Sequence, residues 1–339
     1  MKRAMPHSVI FLWLKKTMLI ACLSALTLCA NHLQSADHLQ SENHLQSAEK
    51  TVGSTDPIAD SRVSKNHHSK DIIYLAVAAN FKSTLQQLVE HFLLEQPDSN
   101  KYQLKIISGS TGALYAQITQ GAPFDIFFAA DTARPKLLIE KSYAKKASLY
   151  SYAYGQLALA FQANNKNTCD QTINRESTLI EFISAFQSPS KPTLAIANPA
   201  TAPYGFSANS LIHGSKDIFS RYRIVKGKNV LHAQQLLLNS NADLAIISAA
   251  QAQHATMKNI HFCIVDHSLY PAIEQAMVII QQDKRTTRQQ KLINEFSHFI
   301  KQEKAKSIIS VSGYLINGYL INGYLINGYL INGHLINGN

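Results

Sequence analysis

The sequence lacks the motifs on which most enzymes depend. Its glycine- and hydroxyl-rich turn at residues 108–112 contains no Gly-x-Ser-x-Gly nucleophile motif, and no lysine follows it as a phosphate-binding loop requires. The chain also offers neither paired carboxylates nor histidines and cysteines at metal-binding spacing. We therefore expect a protein that is not an enzyme and that carries no cofactor.

Cysteine is scarce, and only Cys169 and Cys263 lie outside the N-terminal segment. The two could pair in an oxidising compartment, but the sequence does not give the distance between them. The disulfide therefore stays open at this point.

The apolar run at residues 17–30 is too short to span a bilayer, which takes roughly 20 residues. Basic residues precede it: Lys2, Arg3, Lys15 and Lys16. This pattern predicts a signal peptide at residues 1–30 and export to a bacterial periplasm. Leu28 stands before Cys29 where a lipoprotein signal has a small residue, so lipid anchoring stays only an alternative.

A basic stripe with interleaved aromatic residues is absent, although the formal net charge is +10. Part of this charge belongs to the signal peptide, and the remaining lysines and arginines are scattered. The pattern argues against nucleic acid as a partner.

Both ends of the chain look like extensions of a globular body. Residues 31–70 are polar and repeat the unit His-Leu-Gln-Ser, so we expect a disordered tether that buries too little apolar surface to fold. The unit Gly-Tyr-Leu-Ile-Asn recurs near the C-terminus, with a period too short for a solenoid. The tail at residues 316–339 is either a simple extension or a β-like segment that associates.

Strand and helix patterns alternate between these ends and predict an α/β protein. The late segments at residues 274–280 and 285–302 look like pieces of the first unit, which would make the first domain discontinuous. We predict two domains, each a mainly parallel sheet flanked by helices, with a hinge near residues 152–154 and 269–272. The first domain would combine residues 71–153 and 272–315, and the second would span residues 154–271.

Several strand-to-helix junctions carry residues suited to an anion: Asn80, Thr111, Tyr204 and Val230. Free backbone N–H groups and the positive end of the helix dipole meet at such a junction. In open α/β sheets these junctions lie at the carboxyl ends of the strands, so two facing domains would bring them to one cleft. Asn80, Ser110 and Thr111 equally suit ordinary helix N-caps that hold no ligand.

Short motifs at these junctions resemble, in order and spacing, those of the periplasmic molybdate-binding proteins of the ModA type. The motifs are Ala79-Asn80-Phe81, Ser108-Gly109-Ser110-Thr111-Gly112, Gln120-Gly121-Ala122-Pro123-Phe124-Asp125, Phe128-Ala129-Ala130-Asp131, Ala202-Pro203-Tyr204-Gly205 and Asn229-Val230. The resemblance covers residues 71–315 and implies a two-domain periplasmic-binding-protein fold of type II. It further implies a monomer that delivers molybdate or tungstate to the permease and ATPase subunits of an ABC importer.

Carried over position by position, the resemblance implies a set of oxyanion contacts: Asn80, the backbone of Ala79, Thr111, and the backbone N–H groups of Tyr204 and Val230. Ser110 is a further candidate. Many family members have a tyrosine where this chain has Ser248, so Ser248 is either a ligand or, as the sequence favours, a helix cap.

Neutral donors suffice for a tetrahedral dianion, because several charge-assisted hydrogen bonds and helix dipoles replace its hydration shell. Molybdate, tungstate and sulfate carry no proton at neutral pH, whereas phosphate usually does and would need a carboxylate acceptor. The nearest carboxylate, Asp131, is better explained as a helix cap. Two alternatives stay open. One is a binding protein for another oxyanion such as sulfate, and the other is an envelope-tethered interaction protein that acts through its tail.

Overall fold

Strands and helices alternate along the body of the chain. The computed structural model describes residues 70–162, 172–185, 191–253, 259–316, 330–331 and 334–335. The strands are β1 (Asp71–Ala78), β2 (Tyr102–Gly109), β3 (Ile126–Ala129), β4 (Tyr150–Gly155), β5 (Leu157–Gln162), β6 (Thr172–Ile173), β7 (Thr193–Ala197), β8 (Arg223–Gly227), β9 (Leu244–Ser248), β10 (Ile260–Val265), β11 (Ile273–Ile279), β12 (Leu330–Ile331) and β13 (His334–Leu335). The α-helices are α1 (Lys82–Leu94), α2 (Thr111–Thr119), α3 (Ala133–Glu140), α4 (Glu176–Ala185), α5 (Pro203–Gly214), α6 (Lys216–Phe219), α7 (Val230–Leu238), α8 (Ala249–Ala252), α9 (Thr287–Phe299) and α10 (Glu303–Val311).

The first sheet has the strand order β2-β1-β3-β11-β4. Strand β1 pairs in parallel with β2 and β3, whereas β11 pairs antiparallel with β3 and β4. Helices α1 and α9 pack on one face through aromatic contacts, including those of Phe92 with Phe296 and Phe299. Because β11 joins from late in the chain, this sheet is built from two separate segments of the sequence.

The second sheet has the order β6-β10-β5-β9-β7-β8. Strands β7 and β9 are buried along their whole length, which explains why they appear in the sequence as continuous apolar runs. The pairs of β5 with β9 and β10 are antiparallel, and β7 pairs in parallel with β8 and β9. Both sheets are therefore mixed rather than mainly parallel, because the strands next to the hinge run against their neighbours.

The hinge is the region where the chain passes between the sheets. It crosses at Gln156, between β4 and β5, and again at residues 266–272, between β10 and β11. Beside the first crossing, the C-terminal segment pairs with β4, because Tyr154 and Leu315 exchange both backbone hydrogen bonds, at 2.7 and 3.0 Å. The crossings lie near the hinge predicted from the sequence, and the domain boundaries stay a prediction.

One local prediction is wrong. Asn80 does not cap α1, because it lies within a short 3-10 helix (Ala79–Phe81) and its side chain turns toward the hinge. The helix expected at residues 285–302 is present but shorter, because α9 spans Thr287–Phe299 and Gln302 is extended before α10 begins.

Several predictions concern residues outside the described part of the chain. These are the signal peptide, the tether, Cys169 and most of the tail. Cys263 is disulfide-bonded, and in the tail Leu330–Ile331 pairs antiparallel with His334–Leu335. No helix among the described residues combines the length and the apolar character that a membrane crossing needs.

Candidate anion-binding site

A small cavity lies between the two domains, where several helices begin. Its free volume is about 10 Å³, roughly the space of a single water molecule and far below that of a typical pocket for a drug-like ligand. The described residues that line it are all uncharged: Ala78, Ala79, Asn80, Gly109, Ser110, Thr111, Ala130, Ala202, Pro203, Tyr204, Asn229 and Val230. The structure therefore brings the predicted residues Ala79, Asn80, Thr111, Tyr204 and Val230 together, and Ser110 with them.

The start of α2 supplies oriented hydroxyl groups from the first domain. Thr111 Oγ1 accepts a hydrogen bond of 3.0 Å from the Ala130 N–H, so its own proton remains available as a donor. Ser110 is the N-cap, and its Oγ accepts from the Ala113 N–H at 3.4 Å. Both side chains are buried, and each can cap or support the fold and still donate into the cavity.

The starts of α5 and α7 supply backbone donors from the second domain. Helix α5 begins with Pro203, which has no N–H, so Tyr204 provides the first N–H of the helix. Asn229 caps α7 by accepting from the His232 N–H at 2.9 Å, which leaves the Val230 N–H at the cavity. Neither the Tyr204 nor the Val230 N–H has a hydrogen-bond acceptor within the described residues.

The Asn80 side chain belongs to a buried polar cluster behind the cavity, on the hinge side. Its Nδ2 donates to Gln275 Oε1 at 2.7 Å and to the Tyr314 hydroxyl at 3.2 Å, and the Tyr314 hydroxyl donates to the Asn80 carbonyl at 2.8 Å. The Tyr152 hydroxyl lies 3.1 Å from the Ala129 carbonyl and 3.3 Å from Gln275 Oε1. Four residues that are far apart in the sequence therefore meet behind the site: Asn80, Tyr152, Gln275 and Tyr314.

Burial raises the pKa of Tyr152 and Tyr204 well above that of a free tyrosine, and it raises the pKa of Tyr314 as well. The Ser248 hydroxyl lies near Tyr204 and Tyr314 and lowers both pKa values in part. All three phenols are consequently protonated and neutral at physiological pH, so the cluster adds no negative charge behind the cavity.

Ser248 acts as the N-cap of α8, where its Oγ accepts from the Gln251 N–H at 3.2 Å. It is fully buried and does not line the cavity. Asp131 also lies outside the cavity lining, and its carboxylate pairs with the Arg134 guanidinium and accepts from the Arg134 N–H at 2.9 Å. The cap interpretation therefore explains Ser248, whereas the N-cap of α3 is Thr132 and Asp131 contacts the first turn from the residue before it.

The mouth of the cleft is closed by direct contacts between the domains. The Gly112 N–H donates to the Thr201 carbonyl at 2.8 Å, and Arg134 Nη2 lies 3.4 Å from the Ala200 carbonyl. A Cβ at Gly112 would lie 3.0 Å from the Thr201 carbonyl oxygen, so glycine permits this close approach. Water is thereby restricted from the cavity, which strengthens any hydrogen bond to an anion inside it.

Sequence reasoning missed Gln275 and Tyr314. Gln275 is fully buried in β11, where the other buried residues are apolar, and a polar residue next to such a run is the signal that was available. Tyr314 belongs to the first copy of the C-terminal repeat, and the repeat looked like an extension of the globular body. In the structure the Tyr314 ring packs against Phe81 in the core.

Comparisons with known proteins show the family of this chain. A family model described as bacterial extracellular solute-binding protein matches residues 73–315. Molybdate-binding protein ModA of Azotobacter vinelandii is 29% identical over 245 residues, which cover 71% of this chain and 89% of that protein. The ModA of Rhodobacter capsulatus is 28% identical over 245 residues, covering 72% and 88%.

The solved structure of the Azotobacter vinelandii periplasmic molybdate-binding protein superimposes with a TM-score of 0.60 and 27% identity. It covers 72% of this chain and 99% of that one. The resemblance and the two-domain fold class predicted from the sequence are confirmed. The chain belongs to the family of bacterial extracellular solute-binding proteins.

Proposed function

We propose that this protein is the periplasmic binding component of an ABC importer and that it captures molybdate in the cavity between its domains. The observation that carries the proposal is the convergence of uncharged donors on one small cavity. The proposed contacts are Asn80, the backbone of Ala79, Thr111, and the backbone N–H groups of Tyr204 and Val230, with Ser110 as a further donor. The ModA relatives, named as molybdate-binding proteins, support the choice of anion.

The donor set suits an oxyanion that carries two negative charges and no proton. Hydroxyl and N–H donors supply charge-assisted hydrogen bonds of about 1.5–3 kcal/mol each, reinforced by the starts of α2, α5 and α7. Among the described lining residues there is no carboxylate to accept a proton from phosphate. Tungstate has the same charge and shape as molybdate, so we propose that it binds in the same way.

Isothermal titration and thermal unfolding test this proposal. We expect molybdate and tungstate to release or absorb heat at micromolar concentration and, at 100 times Kd, to raise Tm by about 5–10 °C. Phosphate serves as the control and should leave Tm unchanged. No heat with either metal oxyanion, together with binding of sulfate, would contradict the molybdate assignment.

The same titration should be insensitive to pH between about pH 7 and pH 9. No described residue that lines the cavity has an acidic or basic side chain. The raised pKa of Tyr204 and Tyr314 keeps both hydroxyl groups protonated throughout this range. A Kd that rose steeply with pH would point instead to a titrating donor in the site.

The tail distinguishes the transport function from the alternative of an interaction protein. Leu330–Ile331 and His334–Leu335 form a short antiparallel pair, which is the observation that favours association through the repeat. The transport function predicts a monomer both for the full mature chain and for a variant that lacks residues 319–339. We would measure the mass of both by light scattering, and a full chain that assembles while the shortened one does not would favour the alternative.

A further inference from the structure

The first copy of the C-terminal repeat is part of the folded core. The Tyr314 side chain is 2% exposed, its ring packs edge-on against Phe81 at a centroid distance of 5.3 Å, and its hydroxyl donates to the Asn80 carbonyl at 2.8 Å. Leu315 exchanges both backbone hydrogen bonds with Tyr154. We call the surface that receives this copy the Tyr314 dock, and its residues are Asn80, Phe81 and Tyr154.

Three positions of the docked copy depend on the identity of their residues. Gly313 has φ +90°, and a Cβ there would lie 2.7 Å from Gln253 Oε1, so this position suits glycine. Position 314 needs an aromatic ring that ends in a hydrogen-bond donor, because the Asn80 carbonyl is the acceptor. Ile316 is partly buried and packs against the same core. The dock therefore fits the sequence Gly-Tyr-Leu-Ile.

The same four residues recur three more times in the chain. Residues 318–321, 323–326 and 328–331 each have the sequence Gly-Tyr-Leu-Ile, and the fifth copy has His334 in place of the tyrosine. Imidazole is smaller than a phenol ring and carries no hydroxyl, so the fifth copy does not fit the dock. Copies two to four consequently offer the dock the same side chains as the first copy.

A later copy can reach the dock within the same chain. Helix α10 ends at Val311, two residues before the docked glycine. If the second copy replaced the first, residues 313–317 would form a five-residue connection, which is a common loop length with a modest entropy of closure. A copy tethered in this way has a far higher local concentration than a copy on another chain. A replacement copy is therefore expected to come from the same chain.

We propose that the Tyr314 dock accepts the second, third or fourth copy when the first cannot fill it. Residues 318–332 then hold spare copies of a segment that belongs to the core. The first copy is favoured in the wild-type chain because it needs no additional loop. Its hydroxyl also holds the backbone of Asn80, so a spare copy would preserve the position of that residue. The part of this inference that concerns Asn80 as an anion contact rests on the proposed function.

Tyr314→Ala tests the proposal in two full-length chains, the wild type and a chain that carries Tyr319→Ala, Tyr324→Ala and Tyr329→Ala. In the chain without spare tyrosines we expect Tyr314→Ala to lower Tm by about 6–15 °C, because a buried aromatic ring and its hydrogen bond are lost. In the wild-type chain the loss should be less than half as large, because a later copy fills the dock. A variant that folds only when the spare tyrosines are present would support the proposal. Equal losses in both chains, or failure of both variants to fold, would overturn it.

Phe299→Ala is the matched control. Phe299 is another aromatic residue of the same core, 3% exposed and packed against Phe92, and its segment is not repeated in the chain. This variant should lower Tm by the same amount in both chains. A smaller loss in the chain with spare tyrosines would mean that the tail stabilises the body in general, which contradicts docking of a specific copy.

Molybdate titration and light scattering complete the test. In the wild-type chain, Tyr314→Ala should leave Kd within about threefold, whereas in the chain without spare tyrosines Kd should rise about tenfold, since Asn80 loses the hydroxyl that holds its carbonyl. The Tm comparison uses no anion, so failure of the molybdate assignment is distinguished from failure of the spare copies. Light scattering should show a monomer, and a dimer of the Tyr314→Ala variant would overturn docking within one chain.

Discussion

Replacing Val230 with proline is expected to raise the Kd for molybdate about 100-fold or more. Val230 is the first residue of α7, and its N–H has no acceptor within the described residues. Proline is tolerated at this helix position, and Asn229 before it is already extended, at φ −153° and ψ −179°. The substitution therefore removes a charge-assisted hydrogen bond worth about 3 kcal/mol, and the proline ring also occupies space at the cavity. Isothermal titration measures the change.

Val230→Ala is the control for this prediction. It shortens the same buried side chain but keeps the N–H, so we expect Kd within about threefold of wild type. Circular dichroism of both variants should show an intact fold. A proline variant that bound as tightly as the alanine variant would mean that the α7 N–H makes no contact with the anion.

Replacing Gly205 with alanine is expected to lower Tm by about 6–12 °C and to weaken molybdate binding. Gly205 lies in the first turn of α5, against the end of β7, and a Cβ there would be 2.4 Å from the Ala197 carbonyl oxygen and 2.8 Å from the Asn198 carbonyl carbon. These are backbone atoms that cannot move aside like a flexible side chain. Overpacking of this kind costs about 3 kcal/mol, and each kcal/mol shifts Tm by about 2–4 °C in a protein of this size. Displacing α5 would also move the Tyr204 N–H away from the anion.

Gly214→Ala is the matched control in the same helix. No atom lies within 4 Å of a Cβ at this position, so its Tm and Kd should stay near those of the wild type. Thermal unfolding with and without molybdate separates the two effects. If Gly205→Ala were as stable as Gly214→Ala, the close packing of α5 on β7 would not be what places the Tyr204 donor.

The helix starts could be predicted from the sequence because their signals are local. Apolar runs followed by small or hydroxyl residues mark each junction, and the rule that such junctions lie at the carboxyl ends of strands indicates their convergence. This reasoning correctly placed Thr111, Tyr204 and Val230 around one cavity. It also offered a cap role for Ser110 or Thr111 and for Ser248, and the N-caps are Ser110 and Ser248, because capping depends on contacts only three residues apart.

The contacts behind the site could not be predicted in the same way. Asn80 and Gln275 are separated by 195 residues, and Asn80 and Tyr314 by 234. Asn80 has the side chain of a good N-cap, and only the long-range partners explain why it turns toward the hinge instead. The antiparallel pairing of β11 with β3 and β4 likewise arises because the chain crosses back to the first sheet, and no local sequence pattern indicates this crossing.

The sequence by itself determined the alternation of strands and helices, the uncharged character of the candidate site and the family resemblance, because each depends on residues close together in the chain. Tertiary structure alone decided which residues surround the Asn80 side chain and how the C-terminal segment pairs with β4. These features depend on distances between atoms far apart in sequence, and such distances exist only once the two domains have packed together.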